Sequence, residues 1–170
     1  MNQKRLRKIV FSAMFCALVF AATWISIPTP VVGNVNLGDG VLLLCAWMLG
    51  GAWAAVAAAV GAALCDLALS YAVYAPATLV IKALMVVVAI AVAKLCARRL
   101  HMHERIARLI SAVCAELAMI LGYFAYEALA LGYGIAAAAN IPFNAIQGSL
   151  GIAVAFFVYE VLHRAGIKVE

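Results

Sequence analysis

The sequence predicts an all-α integral membrane protein: one six-helix domain over residues 1–170, with both termini in the cytoplasm. Three observations carry this. Hydrophobic residues make up 69% of the 170-residue chain and charged residues 11%, at a mean hydropathy of +1.12, far outside soluble domains. At ~20 residues per span the length accommodates about six crossings and no second domain. Finally, eleven of the twelve Lys and Arg fall in three segments that six alternating spans put on one side: Lys4, Arg5, Arg7 and Lys8; Lys94, Arg98, Arg99, Arg105 and Arg108; Arg164 and Lys168. The positive-inside rule makes that side cytoplasmic and leaves Lys82 as the exception. The net charge of +5 follows from this bias and suits anionic inner-leaflet lipid, so it is no argument for nucleic acid.

The first span, Ile9 to Ile27, is uncharged and about 28 Å long at 1.5 Å per residue. It exceeds a signal-peptide h-region, and no good cleavage site follows before Pro28. Ala13, Ala17 and Ala21 recur at i, i+4 and i+8, a small-residue stripe suited either to internal packing or to a partner helix. Pro28 to Gly38 is too rich in Pro, Gly and Asn for a helix in lipid and reads as an outer loop. Asp39 is positioned to cap a shorter second helix through Trp47, which Gly50 and Gly51 end. An alanine-rich third span follows from Ala52 to Tyr71, then the turn Ser70 to Pro76 and a fourth span from Ala77 to Ala97. The fifth, Ile106 to Leu131, aligns Glu116, Tyr123 and Glu127 on one face, and the sixth, Ala139 to His163, aligns Asn140, Asn144, Gln147 and Gly151.

Charges inside such spans need protein or polar surroundings, because each costs roughly 2.5–3.5 kcal/mol at mid-bilayer. With alternating directions Asp66, Lys82, Glu127, Asn144 and Gln147 fall at one outer depth, where Trp24, Tyr71, Tyr74, Tyr123 and Phe143 also lie. Apolar walls with a few polar groups are the composition of a small-molecule site. An Asp66–Lys82 ion pair across the 61–85 hairpin would account for two of these residues without a ligand. Cys16, Cys45, Cys65, Cys96 and Cys114 form no C-x-x-C pair and read as packing residues, and His101 and His103 read as solvated loop, so no metal site is expected. No H-E-x-x-H, G-x-S-x-G or nucleotide-loop motif is present, which argues against an enzyme and places any ATPase on another chain.

Four segments, VNLGDG at Val35–Gly40, GAALCDLALSYAVYAPATLVIKALM at Gly61–Met85, LGYFAYEAL at Leu121–Leu129 and NIPFNAIQGSLG at Asn140–Gly151, together resemble the S components of energy-coupling-factor (ECF) vitamin transporters. The resemblance implies six helices and an outward vitamin pocket lined by the first, third and fifth loops and the last three helices. It further implies a bacterial plasma-membrane location, a transmembrane coupling subunit (T component) and two ATPase subunits as partners, and no cofactor. The stripe Ala13, Ala17, Ala21 looks like the family's docking element, and the implied ligand contacts are Asp66, Tyr74, Lys82, Tyr123, Glu127, Asn144 and Gln147. The nearest branch includes riboflavin-type sequences and carriers of vitamin B6 or hydroxymethylpyrimidine. A single aromatic ring suits the polar set, which favours a B6 vitamer or hydroxymethylpyrimidine over riboflavin. The rival is a stand-alone ion-coupled carrier in which Asp66, Glu116 and Glu127 titrate; no inverted repeat is visible to support it.

Overall fold

A computed structural model describes residues 2–30 and 33–166. Val31 and Val32 of the predicted loop and Lys168 of the predicted inner basic set lie outside the described residues. The described residues form six α-helices: α1 (Gln3–Trp24), α2 (Gly38–Met48), α3 (Gly51–Ala68), α4 (Ala75–Arg98), α5 (Glu104–Ala125) and α6 (Ile141–Arg164). Five are long and apolar enough to cross a membrane, whereas α2 has 11 residues, about 16 Å at 1.5 Å per residue. The span count expected from sequence therefore resolves into five full-length helices and one short one.

The helices close into a ring in the order α1, α3, α4, α5, α6, α2 and back to α1, and α2 also reaches α3 and α4 across the middle. Composition dictates where the ring is tight. Ala54, Ala55, Ala57, Ala58 and Ala62 of α3 are buried, and a side chain on Gly61 would run into the Cys16 carbonyl of α1. Small residues thus let the α1 and α3 backbones approach closely, the main source of cohesion where lipid removes the hydrophobic drive between helices. Leu42 and Leu43 of α2, Met85 and Val86 of α4, and Met119 of α5 fill the centre. Outside, Val10, Leu18, Leu64, Val80, Val87, Leu121 and Phe157 are exposed, as a lipid-facing surface requires.

Three departures from regular helix shape the end of the ring opposite the start of α1 and the finish of α6, called the outer end after the orientation expected from the sequence. The predicted loop after α1 is a two-stranded antiparallel hairpin, β1 (Ser26–Pro28) with β2 (Asn34–Asn36), pairing Ser26 with Asn36 and Pro28 with Asn34. Its backbone groups, which a loop would leave unpaired in an apolar layer, bond to each other instead. The outer end of α5 continues as a π-helix, Tyr126–Ala130, and a 3-10 helix, Gly134–Asn140, leads into α6. At the inner end the Arg108 guanidinium lies 4.0 Å from the centre of the Tyr159 ring, and Arg105 donates to Glu160 at 3.2 Å, clasping α5 to α6.

Candidate functional site

At the hairpin end the ring encloses a cavity with about 600 Å³ of space between its lining atoms, a volume that includes open solvent at its mouth. All seven residues expected to contact ligand, Asp66, Tyr74, Lys82, Tyr123, Glu127, Asn144 and Gln147, line it. They are joined by Thr23 of α1, by Thr29, Gly33, Asn34 and Asn36 of the hairpin, and by Tyr71, Thr78, Asn140 and Phe143. Of the aromatics placed at this depth, Trp24 is not among them; it is half exposed and packs its ring on Phe20 at 5.7 Å.

The cavity floor is a closed polar network. Lys82, seven residues into α4, donates to Asp39 Oδ1, so its ion-pair partner is Asp39 and not the expected Asp66. Gln147 Nε2 donates to the other oxygen, Asp39 Oδ2, at 2.6 Å, while Gln147 Oε1 accepts from the Asn36 backbone N–H and from Asn36 Nδ2, both at 3.2 Å. Asn36 Oδ1 in turn accepts from the Gly38 N–H at 2.9 Å. Asp39 is wholly buried and makes no capping bond, which corrects its reading as a helix cap. The ammonium of Lys82 also lies 5.6 Å from the centre of the Tyr123 ring, a further attraction for a desolvated cation. Four elements, β2, α2, α4 and α6, are tied together here.

The geometry explains why α2 is short. Its first turn meets α4 at Lys82 and α6 at Gln147, each about 10 Å below the outer end of its helix at 1.5 Å per residue. The hairpin fills the outer layer above it, and α2 covers the remaining depth. Glycines permit the crossing: a side chain on Gly40 would lie 2.9 Å from Val154, and one on Gly151 would lie 2.9 Å from the Asp39 Cβ.

The outer wall is organised differently. Glu127 accepts from Asn140 Nδ2 at 2.9 Å on both carboxylate oxygens and from the Tyr74 hydroxyl at 3.3 Å. Burial, and next the neighbouring Glu127, raise the Tyr74 phenol above its ordinary pKa, so it stays a donor. The π-helix carries Glu127, and Tyr126 ties that segment to the α3–α4 turn by donating to the Val73 carbonyl at 2.5 Å. Thr78 and Tyr123 share a hydrogen bond at 3.0 Å. Two buried acceptors of this wall, Asp66 Oδ2 and Asn140 Oδ1, have no partner among the described residues.

Glu116 lies seven residues inward of Tyr123 on α5 and does not line the cavity. It is 4% exposed, neither oxygen has a partner among the described residues, and it packs where Gly148 and Gly151 leave room on α6. The stripe Ala13, Ala17, Ala21 is exposed, while Phe15, Val19 and Thr23 form the buried face of α1.

Asp39, Asn36, Thr78 and Asn140 were absent from the expected contact set. A carboxylate in VNLGDG, directly before an apolar helix, carried the same signal as Asp66, but its position after a Gly-rich loop suggested a cap. Asn140 already stood on the α6 stripe with Asn144 and Gln147.

A solved structure described as that of the S component of a bacterial ECF transporter superposes with a TM-score of 0.75 at 22% identity, covering 94% of this chain and 97% of that one. That likeness shows a shared fold. No curated protein matches the sequence. The sequence model of the ECF-type riboflavin transporter S component matches residues 3–164. A closed helical ring with an outer polar cavity, the shared architecture and a family match over nearly the whole length converge, and the chain belongs to the family of S components of ECF-type riboflavin transporters.

Proposed function

We propose that this chain is the vitamin-binding subunit of an ATP-driven importer in a bacterial plasma membrane, that riboflavin is its ligand, and that both termini face the cytoplasm. The observation that carries the reading is the cavity: polar and aromatic side chains of the hairpin, α3, α4, α5 and α6 converge at one outer depth above a floor closed by protein contacts. Riboflavin takes precedence over the B6 vitamer or hydroxymethylpyrimidine expected from the sequence because the matching family is the riboflavin type. Energy enters through partners, a T component and two ATPase subunits, and the exposed stripe Ala13, Ala17, Ala21 is the surface on which the T component docks. Small side chains there admit a partner helix at close range. The ion-coupled carrier gains no support, since it needs Asp66, Glu116 and Glu127 along one path and Glu116 lies off the cavity.

Mass spectrometry of the small molecule retained through detergent purification tests the ligand. Riboflavin near one equivalent is the expected result. A pyridine or pyrimidine vitamin in its place would overturn the riboflavin assignment, and a lone chain showing pH-dependent flux without ATPase partners would overturn the importer.

A further inference from the structure

The inner end of the bundle holds a second cavity, which vitamin binding leaves unused. Between the start of α5 and the finish of α6 lies a groove with about 980 Å³ of space, open solvent included. Arg105 and Arg108 line it from α5, and Tyr159, Glu160 and His163 from α6. The Arg108 guanidinium stands 4.0 Å from the centre of the Tyr159 ring, and the His163 ring stacks on the same tyrosine at 6.1 Å. The arginines here outnumber their carboxylate partners. Arg105 and Arg164 share Glu160, at 3.2 and 3.1 Å, and Arg108 donates to Glu104 at 2.8 Å. Each guanidinium engages one of its nitrogens in these bonds, so each five-donor fork keeps N–H groups uncommitted among the described bonds. His103, which also lines the groove, accepts the Arg105 backbone N–H on Nδ1 at 3.3 Å, and that leaves the ring proton on Nε2 as a further donor. Glu104 is exposed and Glu160 half-exposed, and ion pairs in such surroundings hold weakly.

Two exposed apolar stripes lead away from this cluster. On α5, Ile106, Leu109, Val113 and Leu117 recur at i, i+3, i+7 and i+11, and on α6, Ile146, Leu150, Phe157 and Val161 recur at i, i+4, i+11 and i+15. We infer that the groove is a binding site for an anionic phospholipid, with its phosphate held by Arg105 and Arg108 and its acyl chains laid along the two stripes. Guanidinium forks match phosphate oxygens in pairs, and basic pockets between membrane helices collect such headgroups on the cytoplasmic side. A soluble phosphate offers the same oxygens but makes no use of the stripes, and the continuity of the groove with lipid-facing surface selects the lipid. That the lipid belongs to the inner leaflet rests on the proposed orientation, whereas the site itself does not.

Native mass spectrometry of the whole chain, stripped of lipid in detergent and titrated with phosphatidylglycerol, phosphatidylcholine or soluble glycerol phosphate, tests the inference. Phosphatidylglycerol should bind at least ~10-fold more tightly than phosphatidylcholine, and glycerol phosphate should not bind over the same concentrations. Replacing both groove arginines, Arg105→Gln with Arg108→Gln, should weaken phosphatidylglycerol roughly 25-fold, about fivefold for each. Arg98→Gln with Arg99→Gln removes the same charge from residues that do not line the groove and should cost less than ~3-fold. Glu104→Gln with Glu160→Gln removes the competing acceptors and should tighten binding roughly fivefold, a gain that a loosened contact between α5 and α6 would not produce. This second pair decides the matter if the groove arginines are needed for folding. Equal losses from the two arginine pairs would reduce the effect to diffuse surface charge and overturn the site. Glycerol phosphate binding as tightly as the lipid would make it a free-phosphate site, and unchanged or weaker lipid binding in the glutamate pair would make the groove a structural clasp alone. None of these outcomes touches the vitamin cavity at the other end, so the riboflavin reading stands or falls separately, by the molecule retained there.

Discussion

The cavity floor and the cavity wall contain the same chemical types, carboxylates and amides, yet they are organised in opposite ways. On the floor both oxygens of Asp39 are taken, the Lys82 ammonium is paired, and Gln147 uses its carbonyl oxygen and its amide nitrogen on protein partners. On the wall, acceptors of Asp66 and Asn140 are left over. Location in a pocket is thus a poor guide to role; whether a polar group's bonding capacity is already used by its neighbours separates a strut from a contact.

The largest effect that would sharpen this contrast is on the floor. Asp39→Asn or Lys82→Gln alone should lower stability by about 3–5 kcal/mol, because each leaves a buried charge uncompensated, and the double variant should recover much of the loss. Thermal unfolding followed by size-exclusion fluorescence reads this directly. Asp66→Asn should unfold near the parent temperature; a loss as deep as that of Asp39→Asn would break the distinction.

Gln147→Ala comes next. It strips a donor from Asp39 and an acceptor from Asn36, so it should destabilise by about 1–3 kcal/mol, and any loss of ligand affinity should be matched by that lower stability. Asn144→Ala should do the reverse. Its amide makes no protein bond among those described, so calorimetry should show ligand affinity down by roughly tenfold at an unchanged unfolding temperature. Equal behaviour of the two variants would refute the assignment of one to the floor and the other to the ligand.

The smallest effect on either region is expected from Ala17→Trp. This residue is exposed on α1, away from floor and wall, so ligand affinity in detergent should stay within about twofold while ATP-driven uptake and co-purification of the partners are lost. Loss of ligand binding together with uptake would make the stripe part of the internal packing.

Much of this was legible in the sequence, for a physical reason: lipid penalises charges and unpaired backbone so heavily that span positions follow from composition alone. The fourth span was expected at Ala77 to Ala97 and is observed at Ala75–Arg98. Depth was legible too, since a fixed rise per residue puts Asp66, Lys82, Glu127 and Asn144 at comparable levels. Pairing was not. Asp66 and Lys82 flank one short turn, and chain proximity suggested their union, but the partner of Lys82 arrives from α2, whose placement inside the ring no local pattern records. The π-helix carrying Glu127 was equally silent, because a single wide turn barely disturbs an apolar period of 3.6 residues.

The brevity of α2 has a consequence for biogenesis. Eleven residues beginning with Gly-Asp-Gly are too few and too polar at one end to partition into a bilayer as an independent segment. Five long helices can enter on their own, but with the amino terminus inside they would leave the basic stretch from Lys94 to Arg108 on the wrong side unless α2 also crosses. On the proposed orientation, the downstream arginines retain that loop in the cytoplasm and so oblige α2 to traverse, and the Asp39–Lys82 pair forms only once α4 has arrived. Removing Arg98, Arg99, Arg105 and Arg108 would then be expected to disturb a crossing some fifty residues upstream of them, linking topology at synthesis to the assembly of the cavity floor.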